Sequence, residues 1–175
     1  MMGFIRKENI MKLLIKQRVF ALSDTYDVYD ENEQVKYFVK AKAFSLGHQI
    51  TIYDQNDEEI GKIKQKVWHF LPTFIIEING QELGYVRKAF SLFKPKYEID
   101  FNGWICKGDF LAWDYNVYDQ ERLVVNIYKE PFHWGDTYIL DIHDPKDEIM
   151  ALILTIAIDA ANCNGVASVN VGIHS

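Results

Sequence analysis

Two short stretches of this 175-residue chain carry a lysine at every second position: VKAKAF, with Lys40 and Lys42, and IGKIKQKVW, with Lys62, Lys64 and Lys66. Alternate residues of a strand share a face, and each residue rises about 3.3 Å, so these lysines would stand about 7 Å apart along one face. Val39, Ala41 and Ala43, or Ile63 and Val67, take the opposite face. If the two strands are neighbours, they form a basic stripe, and its chemistry is recognition of anions. Near an anionic membrane each lysine contributes about 1 kcal/mol. The plainer alternative is a solvated face whose lysines discourage edge-to-edge pairing. Lys40, Lys42, Lys62, Lys64 and Lys66 are therefore the candidate ligand-binding set.

Catalytic groupings are harder to find. The histidines, His48, His69, His133, His143 and His174, form no HExxH or other close-set ligand pair. The sequence has no GxGxxG, GxxxxGK[ST] or GxSxG. Cys106, in GWICKGDF, becomes a nucleophile only with a base beside it; a structural thiol is commoner. Carboxylates crowd the turns, where solvated loop tips account for them. The expectation is a non-enzymatic protein with no catalytic residue, metal or cofactor; an unrecognised hydrolase is the last alternative. The aromatic stretch EPFHWGDTY offers Phe132, Trp134 and Tyr138 as an apolar patch for a protein partner, or as a plug for one end of the fold.

The elements that must position these residues are mostly strands. Tyr37, Val39, Ala41 and Ala43 share one face, Tyr97, Ile99 and Phe101 alternate with Glu98 and Asp100, and Tyr138, Leu140 and Ile142 follow the same period of two. One-sided alternation marks antiparallel strands that are wet on one face. Turn signals separate them: DENEQ at 30–34, DQNDEE at 54–59, NGQE at 79–82, NG at 102–103 and DQER at 119–122. This spacing predicts about a dozen strands in successive hairpins. Two strings recur: KAFSLG at 42–47 as KAFSLF at 88–93, and YDVYDENE at 26–33 as YNVYDQER at 115–122. They suggest reuse of one hairpin type, or chance.

One helix is legible near the C-terminus. Asp144 can cap it, Pro145 suits its first position, Asp147 and Glu148 sit in its first turn, and Asn164 and Gly165 offer a stop. The spacing predicts a helix over about 145–162. From Ile149 to Ile158 its only polar group is the Thr155 hydroxyl. A helix that is apolar all round is buried on every side. This run is about half the roughly 20 residues that span a bilayer, so a protein core is expected to surround it. With no second helix in the sequence pattern, the surroundings must be sheet. Eight strands leave room for side chains only, whereas about twelve enclose a helix. Asp159 is expected at the barrel mouth, in water or paired with a base.

The expected fold is thus mainly β: a closed antiparallel barrel of about twelve strands around a central hydrophobic C-terminal α-helix. Residues 11–163 are expected to form this single domain. Residues 1–10 read as an extension, and residues 164–175 as a tail or an added edge strand. A formal charge of -6 argues against nucleic acid as the main partner. Two cysteines without a disulfide framework, and a start that lacks an apolar signal core, predict a cytoplasmic protein, with a place at the membrane periphery as the alternative.

The order KLLIKQRVFALSDTYDVYD, VKYFVKAKAFSLG, IGKIKQKVWHFLPTFIIEING, WDYNVYD and WGDTYILDIHDPKDEIMALILTIAID resembles the LURP-one-related family. That family is grouped with tubby C-terminal-like and phospholipid scramblase-like proteins. The resemblance covers roughly residues 11–163 and implies a twelve-stranded barrel around a hydrophobic C-terminal helix. Tubby-like members use basic strand residues to hold phosphoinositides, and scramblase-like members act on membranes. The resemblance therefore implies an anionic lipid as a partner to look for. It carries no functional residue over to a position here.

Overall fold

The computed structural model describes residues 10–16, 25–44, 47–66, 71–89, 96–132 and 135–163. The expected extension 1–10, apart from Ile10, and the expected tail 164–175 lie outside them. Twelve strands follow one another: β1 (Met11–Lys16), β2 (Thr25–Asp30), β3 (Val35–Phe44), β4 (Gly47–Tyr53), β5 (Glu59–Lys66), β6 (Thr73–Ile78), β7 (Gln81–Ala89), β8 (Lys96–Phe101), β9 (Trp104–Asp109), β10 (Asp114–Asp119), β11 (Arg122–Phe132) and β12 (Gly135–Ile142). A 3-10 turn (Pro145–Asp147) and helix α1 (Glu148–Cys163) complete the chain described.

The strands form one antiparallel sheet in the order β8-β7-β6-β5-β4-β3-β2-β1-β12-β11-β10-β9, curled into a nearly closed barrel. Every ladder but one joins consecutive strands. The exception pairs β1 with β12, Met11 opposite Ile142 and Lys16 opposite Thr137. The seam falls between β8 and β9, which are consecutive in the chain yet stand at opposite ends of the strand order. Rings bridge it: Phe101 and Trp104 meet edge to face at 5.8 Å, and Tyr97 and Phe110 at 5.4 Å.

The turn chemistry follows the sequence. Asn79–Gly80 and Asn102–Gly103 take consecutive left-handed conformations, φ 52° and 74° and φ 53° and 67°, as a two-residue hairpin turn requires. The two acidic turns share one construction. Asp30 accepts hydrogen bonds from the amides of Asn32 (2.8 Å) and Gln34 (2.9 Å), and Asp54 from those of Asn56 (2.8 Å) and Glu58 (2.9 Å). These amides hold both carboxyls below the usual carboxylate range, the bond from Gln34 or Glu58 contributing most. The second repeated string is a structural echo as well: the ladder shifts register at Val28/Tyr29 in β2 and at Val117/Tyr118 in β10.

Inside lies α1. Every residue from Ala151 to Ala161 is buried, including Thr155 and Asp159. The Thr155 hydroxyl donates to the Ala151 carbonyl at 2.8 Å, so the one hydroxyl in the run is satisfied within the helix. Leu152, Ile153, Leu154, Ile156 and Ile158 are each at most 1 % exposed. At roughly 1.5–3 kcal/mol apiece their burial contributes about 8–15 kcal/mol, as large as the net stability of a whole domain.

The helix entrance is tied down by charge. Asp144 is extended (φ -138°, ψ 123°) and accepts from the Lys146 amide at 3.1 Å. Pro145 brings no amide proton, and the Asp147 amide reaches back to the Asp144 carbonyl at 3.0 Å. The expected single helix from 145 therefore begins as a 3-10 turn, with α1 starting at Glu148. Arg122 links Asp147 (2.5 Å) to Asp119 (2.9 Å), and Tyr37 donates to Glu148 at 2.8 Å. Asp159 does not stand in open water, since it is 6 % exposed. No helix among the described residues is long and apolar enough to cross a membrane.

Candidate functional site

All five candidate lysines lie on the outer face of the barrel, on β3 and β5, but these strands are not neighbours. Successive hairpins put β4 between them, so Lys40 faces Thr51, which faces Lys62, and Lys42 faces Gln49, which faces Lys64. At about 4.8 Å per strand step, the two lysine rows are about 10 Å apart.

Three of the five are ion-paired. Lys62 meets Glu59 at 2.8 Å, Lys64 meets Glu77 at 2.7 Å, and Lys40 lies 3.7 Å from Asp57 and over the Tyr53 ring. Lys42 and Lys66 are exposed and have no ion pair with another described residue. The pairs follow from register: Glu77 stands opposite Lys62 on β6 and one diagonal step from Lys64. Exposed pairs of this kind are worth about 0–1 kcal/mol, so an incoming phosphate can displace the carboxylate at little cost. The charge is graded along the face. Lys40 and Lys62 sit towards the acidic turn at 54–58, and Lys42, Lys64 and Lys66 away from it. Arg87, in the row of Lys66 and Thr73, adds a fourth cation there and is bonded to Glu98.

The other candidates come out differently. Cys106 is half-buried on β9, and burial pushes its thiol up to about 12. A nucleophilic cysteine needs the opposite shift. With Cys163 replaced by serine, Cys106 is expected to react with iodoacetamide at pH 8 about 1,000-fold more slowly than an ordinary thiol of pKa near 9, and at the ordinary rate in denaturant. A native rate within tenfold of the denatured one would contradict the assignment of Cys106 as a structural thiol.

His48 and His143 are half-buried on the barrel; His69, His133 and His174 lie outside the described residues. Among the described residues no three His, Cys, Asp or Glu side chains come together as a metal site. Of the aromatic patch, Tyr138 is a core residue, 6 % exposed and packed on Trp113 with ring centroids 3.9 Å apart. Phe132 closes β11 opposite Gly135, and Trp134 lies outside the described residues. Sequence reasoning passed over a polar row on the outer face, in which Lys12 faces Asp141, Asp141 faces Asn126, and Asn126 faces Asn116. Lys12 approaches both Asp141 (3.2 Å) and the Tyr128 hydroxyl (3.3 Å), and the Tyr128 bond does most to hold its ammonium above the usual range. Alternating polar residues on β11 and β12 were the available signal.

Comparison with known proteins agrees with this architecture. The sequence model of a family described as LURP-one-related matches residues 11–159. The uncharacterized protein YxjI of Bacillus subtilis (strain 168) is 29% identical over 150 residues, covering 86% of this chain and 93% of its own. An X-ray structure of a protein from Arabidopsis thaliana superposes with a TM-score of 0.60 at 15% identity, covering 89% of this chain and 93% of that one. At that identity the likeness concerns the fold alone.

Proposed function

The chain belongs to the LURP-one-related family, and from that premise we propose that it is a non-enzymatic binding module whose outer lysine face takes an anionic lipid headgroup or a phosphorylated small molecule. The observation that carries this reading is the gathering of Lys42, Lys64 and Lys66 at the end of β3–β5 remote from the acidic turn. It gives a net acidic protein one local surface on which cations lead. The kinship with tubby-like and scramblase-like proteins supports the same class of ligand. The module works at the membrane periphery, by charge rather than by insertion.

Flotation with vesicles of phosphatidylcholine alone, and of phosphatidylcholine mixed with phosphatidylserine, tests it. The wild type is expected to float with the anionic vesicles only, and less so as salt rises. Changing Lys42, Lys64 and Lys66 to Glu removes three attractions of about 1 kcal/mol each, so partitioning should fall by about 100-fold or more. Inorganic phosphate that releases the protein from the vesicles would point to the small-molecule source. Equal flotation of wild type and variant would remove the proposal.

A further inference from the structure

On the outer face, the carboxylate of Glu98 sits in a cradle of three donors. The Tyr85 hydroxyl donates to Oε1 at 2.6 Å, and the Arg87 guanidinium donates to Oε2 through Nε, at 3.2 Å, and through Nη2. Register builds this cradle. Arg87 stands opposite Glu98 across β7 and β8, and Tyr85, two residues back on β7, shares its face. The guanidinium also lies 5.4 Å from the centre of the Tyr85 ring, so the two donors brace each other. The Tyr85 bond, and then the Arg87 bonds, hold the Glu98 carboxyl below its usual range.

Such a cradle fits an oxyanion in general, not glutamate in particular. A guanidinium fork matches phosphate as well as it matches carboxylate. The place adjoins the lysine face: Lys66, Thr73, Arg87 and Glu98 form one row across β5–β8, and Lys64, Ile75 and Tyr85 lie in the next. Glu98 is also placed to leave. Its side chain is 47% exposed and rises from β8, the last strand of the sheet order on that side. Glu77 differs, since both its oxygens go to the one Lys64 ammonium and its side chain is only 20% exposed.

Resting on the reading of the lysine face as an anion site, we propose that Arg87 and Tyr85 form its anchoring subsite and that Glu98 is the resident occupant, which an incoming phosphate displaces. Lys64 and Lys66 draw the phosphate to this side of the barrel, and the Arg87 fork and Tyr85 hydroxyl fix its oxygens. The displaced carboxylate swings into water. Glu98 thereby lowers the affinity of the site by the fraction of molecules in which the cradle stands open.

Flotation of the full-length chain with vesicles of phosphatidylcholine and phosphatidic acid tests this. Glu98→Gln keeps the side chain's shape and gives up its charge, so its partitioning should exceed the wild type's by about tenfold. Glu31→Gln removes the same charge from the exposed turn between β2 and β3 and should change partitioning by less than about twofold. Adding Arg87→Lys to Glu98→Gln retains the cation but loses the fork, and should cancel most of the gain. A wild type that floats, with a Glu98→Gln chain that gains no more than Glu31→Gln, overturns this inference and leaves the lysine-face reading standing. A gain that survives Arg87→Lys also overturns it, because bare charge then accounts for the effect. No flotation by any of these chains removes both readings. The Arg87 Nε–H magnetic resonance of Glu98→Gln distinguishes the sources of phosphate. A shift on adding inorganic phosphate supports a free phosphorylated ligand, a shift with the vesicles alone supports a lipid headgroup, and a signal that neither moves overturns the subsite.

Discussion

Aspartate placed at Leu152, at Ile153 or at Leu154 is expected to abolish cooperative folding, and to do so equally at all three. Consecutive helix residues point about 100° apart, so these positions sample three directions around α1. Each is 0% exposed. Each substitution forfeits about 1.5–3 kcal/mol of apolar burial and leaves a polar group without a partner at a further 2–7 kcal/mol. The sum rivals the roughly 5–15 kcal/mol that holds a typical domain together. Ile153→Val, which removes one methylene, should cost only about 0.5–1.5 kcal/mol and leave a sharp transition. Near-ultraviolet circular dichroism with thermal melting distinguishes these outcomes. A single aspartate variant that melts within a few degrees of the wild type would mean that α1 has a wet side.

Gly84→Ala is expected to cost about 3 kcal/mol or more, from a single methyl group. Gly84 has φ +155° and stands opposite Phe101 in the β7–β8 ladder. A Cβ there would lie 1.9 Å from the Asp100 carbonyl oxygen and 2.9 Å from its carbon. Those are backbone atoms, so no rotamer change relieves the contact and the strands must part. Among the described residues β8 is laddered to β7 alone. Gly80→Ala makes the control. Its φ of +74° is also left-handed, but a Cβ there meets nothing within 4 Å. That change should cost about 1–2 kcal/mol, the ordinary penalty of the left-handed region. Melting midpoints of the two variants decide: a Gly84→Ala protein no less stable than Gly80→Ala would show that β7 and β8 are not packed this closely.

What the sequence disclosed about the fold was what lies within one element. The helix was legible because Ile149–Ile158 has no polar face, and the tight turns because Asn-Gly relieves left-handed strain. The β1–β12 pairing was not, since nothing near Leu13 says that Leu140, 127 residues on, will stand opposite. The pairing of the candidate lysines was not legible for the same reason. Lysine alternation named the right face, but their partners depend on register. Lys64 finds Glu77 only because the chain turns between β5 and β6, and Lys40 finds Asp57 only across an intervening strand. Asp159 is expected in water or beside a base because a carboxylate ordinarily seeks one or the other. Its 6 % exposure excludes open water, and no local pattern reports that burial.

The β1–β12 ladder also bears on how this protein is born. The ribosome delivers the chain from the N-terminus, at about 5–20 residues per second. β1 comes out before the other eleven strands, yet one of its two neighbours arrives more than a hundred residues later, and the plug that fills the lumen follows all twelve. Until then the nascent sheet carries a raw edge and a hollow greasy interior. Translation that stops short of Ile149 would therefore release not a smaller working protein but a sticky, half-wound ribbon.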